Sequence, residues 1–124
     1  LGLAHGVAPA LGVHCRVPHG AACALMLPVA LRVNRQVCLK QLARLAHALG
    51  IQGPSGSADE AVDRLIGRVE EICDEIGVPR RLGDLGIGAG KIPELVKSSR
   101  GSSMSGNPRQ LSDQELAEIL EGIL

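Results

Sequence analysis

Four histidines (His5, His14, His19 and His47) and four cysteines (Cys15, Cys23, Cys38 and Cys73) are the side chains of this sequence best suited to bind a metal or act as nucleophiles. His5 lies in an apolar, Gly/Ala-rich stretch and His19 follows fourteen positions later at a Pro18-His19-Gly20 corner. That separation lets two imidazoles on neighbouring elements meet one cation. Spacing alone favours the plainer reading, in which both are helix-end or core histidines. The cysteines form no CxxC pair, and their scatter predicts buried free thiols in a reducing, cytoplasmic compartment. His47 falls on the solvent flank of an expected helix, and neither it nor His14 is expected to be a ligand. The glycines at 83, 86, 88 and 90 suggest a phosphate-binding loop, but they follow a helix rather than a strand and lack the GxxxxGK[ST] pattern, so a turn between helices is expected.

The elements that must position these residues read as helices. From Ser57 to Gly77, apolar residues at Val62, Leu65, Ile66, Val69, Ile72, Cys73 and Ile76 recur by threes and fours, as one buried helix face requires. A reciprocal box of Ser57 with Glu60 should open that helix and Gly77 should close it in the left-handed region. Gln36 to Leu49, stopped by Gly50, reads the same way. So does Ser112 to the C-terminus, with a second box of Ser112 and Glu115 and a stripe of Leu116, Ile119, Leu120 and Ile123. His19 to Arg35 is expected to be a helix bent at Pro28, and Lys91 to Ser99 a shorter one that tolerates Pro93 in its first turn. Gly53–Ser57 and Gly101–Pro108 are expected to be flexible. No stretch alternates as a strand would. The fold class expected is all-α, a bundle-like single domain over 1–124 with five to six helices and short loops.

Composition narrows the functions available. Lysine plus arginine and aspartate plus glutamate are equal at 13 each, so no net field draws the chain to nucleic acid or to an anionic membrane. With no Phe, Tyr or Trp, bases have nothing to stack on and the core must be aliphatic. The longest apolar run, Ala21 to Leu31, is about half the ~20 residues a membrane helix needs. The sequence begins at Leu1 inside an already apolar segment, and a fragment of a longer polypeptide is expected.

The run Leu3-Ala4-His5-Gly6-Val7-Ala8-Pro9-Ala10-Leu11-Gly12, followed by Val17-Pro18-His19-Gly20-Ala21-Ala22, resembles the signature of the iron-containing alcohol dehydrogenase family, the group III enzymes of the dehydroquinate synthase-like superfamily. Ala43-Arg44-Leu45-Ala46 through Leu49-Gly50, Ile76-Gly77-Val78-Pro79, Leu85-Gly86-Ile87 and Gly106-Asn107-Pro108-Arg109 extend the resemblance over the whole chain, in the order typical of that family's helical C-terminal domain. The resemblance implies an NAD(P)-dependent alcohol dehydrogenase in which His5 and His19 bind a divalent metal, Fe2+ or alternatively Zn2+. It implies an upstream α/β domain that binds NAD or NADP and carries the remaining ligands, an aspartate and another histidine. A small alcohol or aldehyde substrate and a homo-oligomer go with it. The 124 residues alone are expected to be inactive and to bind metal weakly, because two ligands leave the sphere incomplete.

Two positions depart from the family pattern. Pro9 stands where many members carry a further histidine near the nicotinamide, and proline neither binds metal nor relays a proton. Ser103 stands where cysteine is common. Asn107 and Arg109 are candidates for shaping the cleft, although an Asn-Pro turn before a helix is a sufficient reason for them. Two alternatives stay open, a catalytically inactive interaction module of the same fold and a related glycerol dehydrogenase or dehydroquinate synthase-like enzyme.

Overall fold

The helical periods of the sequence are realised in a computed structural model describing residues 1–124, which is all-α with no strand. Its helices are α1 (Leu3–Cys15), α2 (His19–Asn34), α3 (Leu39–Ala48), α4 (Ala58–Glu75), α5 (Ile92–Ser98), α6 (Ser102–Ser105) and α7 (Asp113–Glu121), with 3₁₀ turns at Gly83–Leu85 and Ala89–Lys91. The helix beyond the five to six expected is α6, a single turn inside the stretch expected to be flexible. It forms because Met104 is an apolar anchor that reaches the core.

The core gathers Leu3, Val7, Ala8, Ala10 and Leu11 of α1, Ala22, Leu25 and Met26 of α2, and buried aliphatic residues of α5, α6 and α7. Each fully buried Leu, Val or Met side chain there contributes about 1.5–3 kcal/mol. Leu82 joins the same core, and its N–H donates to the Ile123 carbonyl at 2.6 Å, fastening the C-terminus to the loop after α4. α1 and α2 share the most extensive helix–helix contact. The connection between them turns at Arg16, whose φ of 58° is the one positive value at a non-glycine residue. This conformation costs roughly 1–2 kcal/mol. It lets the N–H groups of Arg16 and Val17 close on the carbonyls of Gly12 and Leu11 at 3.1 and 3.3 Å.

Several local expectations hold, and others are corrected. Gly50 and Gly77 adopt φ of 71° and 75° as helix stops. α2 continues through Pro28 to Asn34. At α7, Ser112 and Glu115 form the complete reciprocal box. At α4 only half of the box exists. The Glu60 N–H donates to Ser57 Oγ at 3.2 Å, but the Glu60 carboxylate accepts from the N–H and hydroxyl of Ser55 instead of reaching Ser57. The turn at Pro54–Ser55 brings those donors closer, and the bonds hold the Glu60 carboxyl below its ordinary range. α3 starts at Leu39 rather than Gln36, because residues 35–38 are spent turning between helices. The thiols are all free, yet only Cys73 is buried, while Cys15, Cys23 and Cys38 are partly exposed. No helix is long and apolar enough to cross a membrane.

Candidate metal centre

His5 and His19 are exposed side chains on two helices whose other faces are buried. On α1 the neighbours Leu3, Gly6, Val7 and Ala8 are buried, which leaves His5 and Pro9, one turn apart, on the exposed side. Gly6 matters because a Cβ there would lie 2.9 Å from Met104 Cε, 3.1 Å from its Cβ and 3.3 Å from its Cα. Glycine lets α6 lie directly on α1 and presses the turn carrying His5 into a fixed position. Pro9 has no N–H to offer the His5 carbonyl, so the α1 ladder lacks one bond at the histidine. His19 occupies the first position of α2, after Pro18 at φ −56° and ψ 137°.

The two rings meet edge to face, with centroids 5.2 Å apart and planes at 72°. A third side chain joins them. Cys23 lies one turn after His19 on α2, and its Sγ is 3.5 Å from His19 Nε2 and 4.0 Å from His5 Nδ1. One ligand atom from each of the three lies within 4.8 Å of the others. Neither imidazole has another hydrogen-bond partner in the chain. The set of two nitrogens and a sulfur, left free of competing partners, suits a borderline-soft divalent ion such as Zn2+ or Fe2+. The thiol escaped the sequence reading, which classed it with the buried cysteines, although its four-residue offset from His19 on one helix was the available signal.

The other candidates lie elsewhere. His14 spends both ring nitrogens on structure, with Nε2 2.7 Å from Ser98 Oγ and Nδ1 2.9 Å from Glu94 Oε1, tying α1 to α5. Lys91 and then His14 hold the Glu94 carboxyl below its ordinary range. His47 is exposed and pairs through Nδ1 with Gln52 Nε2 at 2.8 Å, in a cleft between α3 and α4 that shares no residue with the cluster. Burial pushes the Cys15 thiol up, as befits a packing residue. Arg109 is exposed and its guanidinium binds Glu115 at 2.7 Å.

Asn107 is only 2% exposed and joins the two histidine-bearing helices. Its Oδ1 accepts from the Leu3 N–H at 3.0 Å and from Asn34 Nδ2 at 2.9 Å, while its Nδ2 donates to Asn34 Oδ1 at 2.9 Å and to the Arg109 carbonyl at 2.7 Å. α1 has no capping side chain of its own at Gly2. Asn107 therefore supplies the cap from 104 positions away in sequence and joins it to the end of α2. A Cβ at Gly2 would come 2.9 Å from Asn107 Oδ1, which accounts for the glycine. Asn107 thus positions the two histidine-bearing helices.

Comparison with known proteins gives the chain its relatives. The Fe-containing alcohol dehydrogenase family, C-terminal, matches residues 1–124. Lactaldehyde reductase of Escherichia coli (strain K12) is 30% identical over 120 residues, covering 96% of this chain and 31% of that protein. The NADPH-dependent butanol dehydrogenase of Clostridium saccharobutylicum is 31% identical over 126 residues, covering 98% of this chain and 32% of that protein. Among solved structures, 1,3-propanediol oxidoreductase superposes with a TM-score of 0.92 at 29% identity, over 100% of this chain and 33% of that one. An alcohol dehydrogenase from Oenococcus oeni superposes at 0.90 and 25% identity, with the same coverage. The chain spans about a third of the length of these relatives.

Proposed function

This chain belongs to the iron-containing alcohol dehydrogenase family as its C-terminal domain, and from that premise we propose that it supplies His5 and His19 to the divalent metal of an NAD(P)-dependent alcohol oxidoreductase. The observation that carries the reading is the convergence of the two exposed imidazoles, one from each of two adjoining helices, with ring centroids 5.2 Å apart. When bound, Fe2+ or Zn2+ supplies Lewis acidity to the oxygen of an alcohol or carbonyl while hydride passes to or from the nicotinamide. His5 and His19 hold that ion as neutral donors, which leaves its charge available to the oxygen. Asn107 caps the start of α1 and Gly6 seats that helix on Met104, two features that fix the turn carrying His5.

The centre lies on an open face rather than in a closed cleft. A dehydrogenase needs walls that exclude water around the reacting oxygen. The reading therefore assigns those walls, the nicotinamide site and the remaining ligands to a nucleotide-binding domain preceding these residues in the natural polypeptide, a part the longer relatives have room for. The substrates that fit are small alcohols and aldehydes. Exposed Leu45, Leu49, Ile72 and Ile76 agree with a homo-oligomer. Pro9 favours a second reading, because it puts an apolar ring one turn from His5 where a relay histidine is common in the family. On that reading the domain is a helical interaction module that keeps the fold without the reaction.

In the natural polypeptide, H5A and H19A should each lower bound metal per chain in elemental analysis and abolish NAD(P)H-linked oxidation of short alcohols. Metal content unchanged in both variants would overturn the proposal. Metal lost from the variants, with no activity in the wild type under any nicotinamide cofactor or short alcohol, would select the second reading.

A further inference from the structure

We propose that Cys23 is a third metal ligand, giving this chain a His2Cys donor set in place of two histidines alone. The inference rests on the reading of His5 and His19 as ligands and adds a side chain to it. With bond lengths of ~2.0–2.1 Å to nitrogen and ~2.3 Å to sulfur, two donors of a tetrahedral site lie about 3.5–3.6 Å apart. Cys23 Sγ already stands 3.5 Å from His19 Nε2. Its 4.0 Å separation from His5 Nδ1 exceeds that spacing by only about half an ångström, which a small rotation of an exposed imidazole removes.

The placement follows from the helix. Residues four apart share a face, so His19 and Cys23 project together from the first two turns of α2 toward His5 on α1. Cys73 is buried at 5% exposure, whereas Cys23 packs only partly against the core and turns its Sγ to the two imidazoles. Cys23 is half-buried, and its Sγ has the two imidazoles as its hydrogen-bond partners. On binding, a metal–sulfur bond replaces the S–H bond and the proton leaves to water. A thiolate is a softer donor than imidazole or carboxylate and moves the preference of the site toward Zn2+. It also raises the share of the coordination sphere that these 124 residues hold by themselves.

The test loads the natural polypeptide with Co2+ in place of the native ion, with elemental analysis giving metal per chain. The wild type should bind one Co2+ per chain and show thiolate-to-cobalt charge-transfer absorption in the near ultraviolet. C23S should lose that absorption and bind Zn2+ roughly tenfold or more weakly. Because C23S itself could disturb folding, alkylation of Cys23 by iodoacetamide in the unmutated protein is the companion measurement, and saturating Zn2+ should protect the thiol. Cobalt bound without the charge-transfer band, or Cys23 alkylated equally with and without Zn2+, overturns the proposal while leaving the histidine pair intact, provided H19A still lowers metal content. No uptake of either ion by the wild type, or equal uptake by H19A, overturns both.

Discussion

Replacing Asn107 with alanine removes four hydrogen bonds at once, and the structure says which of them matter. Each neutral bond contributes a net ~0.5–1.5 kcal/mol, and a buried donor left without a partner costs ~1–3 kcal/mol. The Arg109 carbonyl and the half-buried Asn34 amide can turn to water, so their losses are small. The Leu3 N–H cannot, since Leu3 is 1% exposed and α1 has no other cap. The expected cost is about 2–4 kcal/mol, or a drop in Tm of roughly 6–20 °C for a domain of this size. N34A should cost less, about 1 kcal/mol, and N34A with N107A should fall short of additive because the two side chains share bonds. Urea unfolding of the natural polypeptide and its variants measures all three. His5 lies two residues beyond Leu3, so N107A should also weaken metal binding while leaving every ligand in place. A loss of stability below about 0.5 kcal/mol, the level of an ordinary surface change, would refute the claim that this amide caps α1 and joins it to α2.

Two further perturbations follow from the same structure. G6V should destabilise by about 1–3 kcal/mol, because its side chain meets Met104 down to the backbone Cα; denaturation together with metal analysis should show both quantities falling, and an unaffected protein would mean that α6 does not fix the His5 turn. In acid, Glu60, Asp63, Glu94 and Glu115 all have carboxyls held below their ordinary range, by Ser55, Arg35, Lys91 and Ser112 respectively as the leading causes. Groups lowered on folding contribute stability that is fully present above the ordinary carboxylate values of ~3.9–4.3 and is lost as pH falls through the folded values. Unfolding measured from pH 7 downward should therefore be level until about pH 5 and then decline, with a shallower decline in E115Q.

What the sequence revealed divides by distance along the chain. α4 and α7 were legible because their stripes and caps lie within a few residues of one another, and the family motifs located His5 and His19 together. The partners of Glu60 and Asn107 were not. Glu60 had a competing donor in a turn whose geometry periodicity does not report, and Asn107 caps a helix from the far end of the sequence. Met104 shows a related limit, since a single apolar residue among glycines and serines carries no period, yet burial of that one side chain is enough to fold a turn. Cys23 was visible at helical spacing from His19, but the offset gained meaning only once α1 brought a second imidazole to the same place.

The principal core draws on α1, α2, α5, α6 and α7 but on no residue of α3 or α4. That pair packs internally through Ala46, Val62, Leu65 and Ile66 and meets the rest along one side of α2. Across the seam, Arg32 reaches Glu70 at 2.5 Å and Arg35 reaches Asp63 at 2.8 Å. A hairpin fastened by half-exposed ion pairs is loosened by ions that screen them in part. Amide protons of α3 and α4 should therefore exchange through a partial opening that spares α1 and α2, at a rate that rises with salt. The histidine-bearing half of the domain would then ride out fluctuations that undo its neighbour.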